Sequence, residues 1–293
     1  MLSIDQTRPS IGVVTICKNE ESDLPGFLEC FLPWADEILI VDDGSTDKSC
    51  EIIEAAGQKV RLLRHSMSPD SGFSGLRNLG IQNSSCDWLL HTDIDERATP
   101  EFVDEVKAAL HRQDIYAYKY RRRNYFLHRV MRGGGLQEWN KPQLARRGKH
   151  HFVNQVHEEC VVEGAPSTVA QLNSCILHIN DEDYVERVNK SIQYCLEQAN
   201  RIERKEISIR WWHLILYPSV EFVRKYFLKT GFLDGTPGLI WSLHSACAMF
   251  KASAILWDRQ NNIPRTIIEE EIKKNWDIYN RDKPHFYSEG SGH

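Results

Sequence analysis

Three short apolar runs rich in β-branched residues, 11–17 (IGVVTIC), 37–41 (EILIV) and 60–64 (VRLLR), are separated by segments with helix-compatible spacing. Runs this short between helical segments read as strands, and consecutive strands linked through helices lie parallel in one sheet. The pattern continues. Residues 88–91 (WLLH) form a fourth predicted strand that ends directly in Thr92-Asp93-Ile94-Asp95-Glu96, and 115–120 form a fifth. Gly57 stops a helix that begins near Asp47 and is capped by Ser45 or Thr46, and Ser74 is placed to cap a helix running to about Asn83. Pro100 sits at the first turn of a helix whose Phe102, Val103, Val106 and Leu110 share one face. The expectation is an α/β fold with a mostly parallel sheet and helices on both faces.

After Asp181 the sequence becomes helical, with segments predicted at 181–203, 207–229, 237–258 and 265–279. Two domains are therefore expected, an α/β domain over 1–180 and a helical, amphipathic extension over 181–293. In 211–257 aromatic residues alternate with Arg224, Lys225, Lys229 and Lys251, a mixture that suits either a lipid headgroup boundary or packing against a core. The nearly uncharged stretch 239–257 approaches the length of a membrane span but is diluted by Ser, Ala and Lys, so it reads as buried or interfacial.

Composition narrows the partners. The 293 residues carry a formal charge of −5, which lacks the basic excess of a general nucleic-acid binder. Within that acidic chain, residues 119–149 hold ten Lys and Arg against the single acid Glu138. Such a belt is either a solvated face or a seat for anions. The eight cysteines show no metal-binding or redox spacing and read as reduced packing thiols. Residues 1–10 lack the charged-then-apolar pattern of an export signal, so the expected location is the cytoplasm.

Ligands of open parallel sheets bind at the carboxyl ends of the strands, where Lys18-Asn19-Glu20, Asp42-Asp43-Gly44-Ser45 and Asp93-Ile94-Asp95 fall. No glycine-rich dinucleotide or P-loop signature accompanies them. Asp93 and Asp95, two residues apart just past a strand, are placed to share a divalent cation, and oxygen ligands favour Mg²⁺ or Mn²⁺ over Zn²⁺. An acidic turn without metal is the alternative.

The motifs VVTICKNEE, VDDGSTDKS, GFSGLRNLGI and WLLHTDIDE, in this order over residues 10–100, resemble the nucleotide-sugar-binding half of GT-A fold glycosyltransferases of family 2. Val156-His157-Glu158 and GFLDGTPGLIWSLHSA further resemble the bacterial subgroup that glycosylates the lipopolysaccharide inner core. The resemblance implies a GT-A core with inverting transfer of a hexose from a nucleotide sugar, expected to be a UDP-sugar, to an anionic saccharide on lipopolysaccharide core or another lipid-linked glycan. It implies that Thr15, Glu20, Asp42 and Asp43 line the nucleoside pocket, although Asp42 can equally brace its own turn.

Arg77 and Asn78 match a donor-contacting helix, against the alternative of a surface arginine. Asp93 and Asp95 match the metal site for Mg or Mn at the diphosphate. His178 matches a further metal or phosphate contact, against the alternative of a core histidine. Glu158 matches the base that deprotonates the acceptor, with Glu159 and His157 as replacements.

Arg121, Arg122, Arg123, Arg129, Arg132, Arg146 and Arg147 suit a phosphorylated or carboxylated acceptor or an anionic membrane, and Trp139 beside them can stack on a sugar or pack in the core. The enzyme is thus expected at the cytoplasmic side of the inner membrane, as a peripheral protein that does not bind nucleic acid. Two alternatives remain on these residues: a non-catalytic nucleotide-sugar-binding protein on the same fold, and a nucleotidyltransferase, which would carry a glycine-rich basic loop where this chain has KNEESDLP.

Overall fold

The computed structural model of the chain describes residues 8–68, 70–154, 158–179, 181 and 183–282. They divide into two compact units, one holding residues up to Asn189 together with Val223–Leu243, the other Lys190–Phe222 together with the residues from His244 onward.

The first unit is built on one mixed sheet. Strands β1 (Ile11–Cys17), β2 (Glu37–Asp42), β3 (Val60–Arg64) and β4 (Trp88–His91) form its parallel half in the order β3-β2-β1-β4. These are the four runs expected from sequence. The near-complete burial of β1, β2 and β4 explains why they are largely apolar rather than alternating. The other half departs from the expected mostly parallel arrangement. Strand β6 (Ala117–Phe126) is longer than expected, and β8 (Asn140–Arg146) runs antiparallel between β4 and β6. Strand β11 (Val169–Ile179) is parallel to β6, and the two-residue β5 (Glu96–Arg97) pairs antiparallel with β11. The pairing of β5 with β11 carries the turn after β4 across to the far edge of the sheet.

Helices cover both faces. Phe27 and Phe31 of α1 (Leu24–Phe31), Ile53 of α2 (Ser49–Ala55) and Phe102 and Val106 of α4 (Pro100–Ala109) pack on one face with Ile11, Val13, Ile38, Ile40 and Trp88. Burying a side chain of this size contributes about 1.5–3 kcal/mol. Helix α3 (Gly72–Asn83) lies on the other face, where Val14, Leu39, Cys86 and Leu89 form a smaller cluster that Ile81 packs against. A Cβ at Gly80 would stand 2.4 Å from Val14 Cγ1, so glycine lets α3 approach the sheet closely.

The caps differ from those expected. Ser74 lies inside α3 and donates its hydroxyl to Ser71 O. Ser45 Oγ accepts from Asn19 N, Thr46 N donates to Asn19 Oδ1, and it is Asp47 Oδ1 that accepts from Ser49 N at the start of α2. These bonds join the loop after β1 to the loop after β2.

Val223–Leu243, although late in the chain, belongs to this unit and clasps the triple-glycine turn. Asp234 accepts from the backbone N–H groups of Arg132 and Gly133 at 2.8 Å each, Gly134 N donates to Lys229 O at 2.7 Å, and Trp241 Nε1 donates to Gly134 O at 3.0 Å. A Cβ at Gly133 would lie 2.3 Å from Thr230 O, which explains the glycine.

Beyond these lie α5 (Tyr184–Glu203), α6 (His213–Val223) with a π-helical continuation over Arg224–Leu228, α7 (Gly235–Asn261) and α8 (Arg265–Asp282). The helix expected over 207–229 thus starts later, at His213. The second unit has its own core of Ala199, Ile202, Ile209, Ala252 and Leu256. Among the described residues one helical stretch, Gly231–Asn261, is long and apolar enough to cross a membrane by length and composition, with 28% of its most apolar window buried.

A buried histidine pair supports β4. His150 Nδ1 donates to Arg146 O at 2.9 Å, which leaves its Nε2 as an acceptor for His91 Nε2–H at 2.7 Å. Both rings are therefore neutral. Burial holds the pKa of His91 well below the ordinary 6.5 and brings His150 down to about 4. The unfolded chain takes up a proton at each from pH ~6.5 downward, so this stability is complete above that pH and drains as the pH falls toward 4. Urea titrations of wild type and His150→Gln are expected to differ by a contribution of about 2 kcal/mol that is lost between pH 7 and 5, the difference removing the opposite drift of His178, whose raised pKa strengthens the fold as the pH falls. A difference that stays level across that interval would contradict the neutral pair.

Candidate active site

The turn after β4 is fixed from within. Glu96, fully buried, accepts from Thr92 Oγ1 at 2.5 Å and Asp93 N at 3.0 Å, while Arg97 donates to Ile94 O at 2.7 Å and to Asp23 O and Oδ1 at 3.0 and 3.1 Å. Asp93 and Asp95 are consequently presented from a rigid turn, and they face different partners.

Both carboxylate oxygens of Asp93 are engaged by arginines, although its side chain is 38% exposed. Its Oδ1 accepts from Arg77 Nη2 at 2.7 Å and its Oδ2 from Arg122 Nη2 at 2.6 Å. Burial by itself would raise its pKa, but the two guanidiniums override this and hold the carboxylate far below its usual range. Arg77, expected at the donor or on a helix surface, is buried to 5% exposure, and its Nε donates to Glu158 Oε1 at 3.1 Å. One guanidinium therefore links the Asp93 turn to Glu158, and Arg122 extends the chain of alternating charge to Glu96.

Asp95 is different. Its Oδ2 lies 3.0 Å from His178 Nε2, and its buried Oδ1 has no hydrogen-bond partner. His178 Nδ1 donates at 2.6 Å to Asn124 Oδ1, whose own amide nitrogen is committed to Leu136 O. Burial opposes charge on His178, yet the hydrogen bond and charge of Asp95 prevail and raise its pKa. With the Nδ1 proton fixed by Asn124, Nε2 is the nitrogen that would turn to a metal on giving up the proton it shares with Asp95.

The buried, unpartnered oxygen of Asp95 and the Nε2 of His178 fit a divalent cation, whereas Asp93 has both oxygens paired with arginines. Among the described residues no group of three or more His, Cys, Asp or Glu is arranged to hold an ion unaided, so any ion here needs ligands from elsewhere.

Asp42 follows the bracing alternative. Its carboxylate folds back to accept from Gly44 N and Ser45 N at 3.0 and 3.2 Å, with Gly44 at φ +76°. Asp43 accepts from Met67 N at 2.6 Å and from Lys18 Nζ at 2.9 Å. Despite partial burial, these donors lower its pKa. Thr15, expected to line the nucleoside pocket, is fully buried in β1. Glu20 is half-buried in the loop after β1, where its N–H donates to Ser49 Oγ.

Asn78 is also redirected. Its side chain exchanges two 2.8 Å hydrogen bonds with the backbone of Phe152, on strand β9 (His150–Val153), which pairs with β10 (Glu159–Val162). It anchors to α3 the hairpin that carries Glu158. Glu159 is exposed on β10, and His157 lies outside the described residues.

The arginine belt is split by strand geometry. Arg121, Arg122 and Arg123 sit in β6, so alternation turns Arg122 inward and leaves its neighbours exposed. Arg129 and Arg132 are exposed. Arg146 and Arg147 are occupied with the backbone carbonyls of Ile115, Arg112 and Cys86. Trp139 packs beside Tyr120 with the Arg122 guanidinium 4.0 Å over its ring, so it props the rim instead of offering a face to a sugar.

Sequence reasoning missed Glu96, Arg97 and Asn124. Glu96 stands in the quoted WLLHTDIDE, and Asn124 follows Arg122 at the two-residue period of one strand face, so both carried a readable signal.

A mixed GT-A sheet with charged loops gathered at its carboxyl rim defines a nucleotide-sugar-dependent glycosyltransferase. The family model described as glycosyl transferase family 2 matches residues 12–160, and the chain belongs to that family. Family membership decides for an enzyme over the binding-protein and nucleotidyltransferase alternatives. The chain is 27% identical over 260 residues to the lipopolysaccharide core biosynthesis glycosyltransferase LpsC of Rhizobium meliloti, covering 84% of this chain and 93% of that protein. It is 26% identical over 255 residues to an uncharacterized glycosyltransferase of Rickettsia typhi, covering 82% and 84%. Among solved structures it is similar to S. aureus TarS (13% identity, TM-score 0.41, 86% and 91% covered). It is also similar to glucosyl-3-phosphoglycerate synthase of Mycobacterium tuberculosis (24% identity, TM-score 0.34), covering 39% of this chain and 44% of that one.

Proposed function

We propose that the enzyme moves a hexose from a UDP-sugar, with inversion, to an anionic saccharide of lipopolysaccharide core or another lipid-linked glycan, working as a peripheral protein on the cytoplasmic face of the inner membrane. The observation that carries the reading is the Asp95–His178 pair, with one buried carboxylate oxygen left without a partner beside an Asp93 already neutralised by two arginines. Asp95 and His178 would hold Mg²⁺ or Mn²⁺, which when bound stabilises the negative charge on the departing nucleotide diphosphate. Arg77 and Arg122 keep Asp93 ionised and the turn in place. Glu158, one guanidinium away, takes the proton from the attacking acceptor hydroxyl. At the nucleoside end, Asp43 is paired with a lysine whose side chain is 58% exposed, a pairing weak enough to yield to a base or ribose. Calorimetry with UDP, GDP and their sugars, with and without Mn²⁺, tests the donor: UDP-hexoses should bind best and more tightly with metal, and a GDP preference or metal-indifferent binding would refute it.

The acceptor and membrane parts rest on other residues and on the similarity to LpsC. Arg121, Arg123, Arg129 and Arg132 offer exposed guanidiniums suited to phosphate or carboxylate. On α7, Leu239 and Leu243 are exposed in the first unit, and Phe250 and Trp257, seven residues apart, are exposed in the second. Trp212, Leu216, Val220 and Val223 make a comparable exposed face at α6. Sedimentation with anionic vesicles at low salt should remove most of the protein from solution, and added salt should release part of it. Protein left in the supernatant with vesicles present would refute membrane contact.

A further inference from the structure

We propose that Lys141 selects the acceptor hydroxyl, by pairing with a phosphate or carboxylate carried next to the hydroxyl that Glu158, read above as the base, deprotonates. Lys141 stands on β8 directly opposite Tyr120 of β6. Opposed residues of an antiparallel pair share a face, so Lys141 is on the side of the sheet that carries Arg122, two residues beyond Tyr120. Its half-buried side chain reaches the base: Nζ donates to the main-chain oxygen of Glu158 at 3.4 Å. Among the described residues that long bond is the only one the ammonium makes, and no carboxylate pairs with it.

The two arginines nearby are differently placed. Arg77 faces Asp93 and Glu158, and Arg122 faces Asp93 and Glu96, so each guanidinium is matched by two carboxylates of the chain itself. Lys141 instead keeps two of its three N–H donors uncommitted. Glu158 spends Oε1 on Arg77, while its Oε2 has no hydrogen-bond partner among the described residues and its side chain is 22% exposed. A free cationic donor beside a free carboxylate oxygen specifies a ligand with two features, a hydroxyl for Glu158 and an anion close to that hydroxyl for Lys141. A saccharide offers several hydroxyls of similar reactivity, and an anchored anion fixes which of them meets the base. The exposed arginines of the belt can draw an anionic glycan in, but it is the contact at Glu158 that sets the reacting position.

Calorimetry on the full chain saturated with UDP tests this, using deacylated lipopolysaccharide core oligosaccharide intact, after phosphatase treatment, after reduction of its carboxyls, and after both. Lys141→Met is expected to weaken binding of the intact oligosaccharide about tenfold or more, and Lys141→Arg to keep most of the affinity. The difference between Lys141→Met and wild type should vanish with the treatment that removes the recognised anion, which tells phosphate from carboxylate. UDP affinity matching wild type establishes that the variants fold. Equal affinity of Lys141→Met and wild type for the intact oligosaccharide would overturn the proposal. So would a loss that persists after both treatments, the mark of a structural role, or a loss of UDP affinity in Lys141→Met with its fold intact by circular dichroism, which would place the lysine at the donor. A wild type that binds none of the four forms would overturn the acceptor class along with Lys141, an outcome distinct from binding that is indifferent to the substitution.

Discussion

Asp95→Ala is expected to abolish the metal-dependent part of donor binding and to slow transfer by about 10²–10³-fold, the equivalent of a few kcal/mol of lost charge stabilisation. The turn itself should survive, because Glu96 and Arg97 hold it through groups the substitution does not touch. Asp95→Asn keeps the shape and loses the charge, and should fall nearly as far. His178 is left without its carboxylate, so its raised pKa should return toward the ordinary value, a shift that proton NMR of the imidazole can follow. Wild-type affinity for UDP with Mn²⁺ in either variant would demote Asp95 to a structural turn.

Glu158→Gln is expected to act on a different parameter. The amide oxygen can still accept from Arg77, so the hairpin and the donor rim should remain in place and UDP affinity should stay within about threefold of wild type. The capacity to take the acceptor proton is lost, and kcat should fall by about 10²–10⁴-fold. Steady-state kinetics with saturating donor separate the outcomes. A rise in KM with kcat unchanged would make Glu158 a binding residue only.

Most of the parallel half of the fold was legible because β1, β2 and β4 are buried on both faces and announce themselves as apolar runs, while the edge strand β3 keeps Val60, Leu62 and Leu63 beside its arginines. The other half was not, since β6 and β8 carry polar residues on one face and β11 alternates irregularly, so a run such as Arg121-Arg122-Arg123 reads as a loop. At the site, residue types were legible before their partners were. Asp93 and Asp95 look equivalent in sequence, and only the return of β6 and β11 assigns arginines to one and a histidine to the other. Asn78 and Trp139 share the same difficulty. Their chemistry suits ligand contact, but the backbone of Phe152 and the guanidinium of Arg122 reach them first. Asp42 was ambiguous between ligand and brace, and a carboxylate followed by Gly44 at positive φ favours the brace.

The central claim is that Asp95 and His178 together receive the cation that accompanies the donor diphosphate. Crystals grown with UDP and Mn²⁺, measured for anomalous scattering, test it directly. The predicted result is a manganese peak within bonding distance of an Asp95 oxygen and His178 Nε2, with Asp93 still held by Arg77 and Arg122. Bound UDP without a peak there, or manganese held elsewhere, would contradict it.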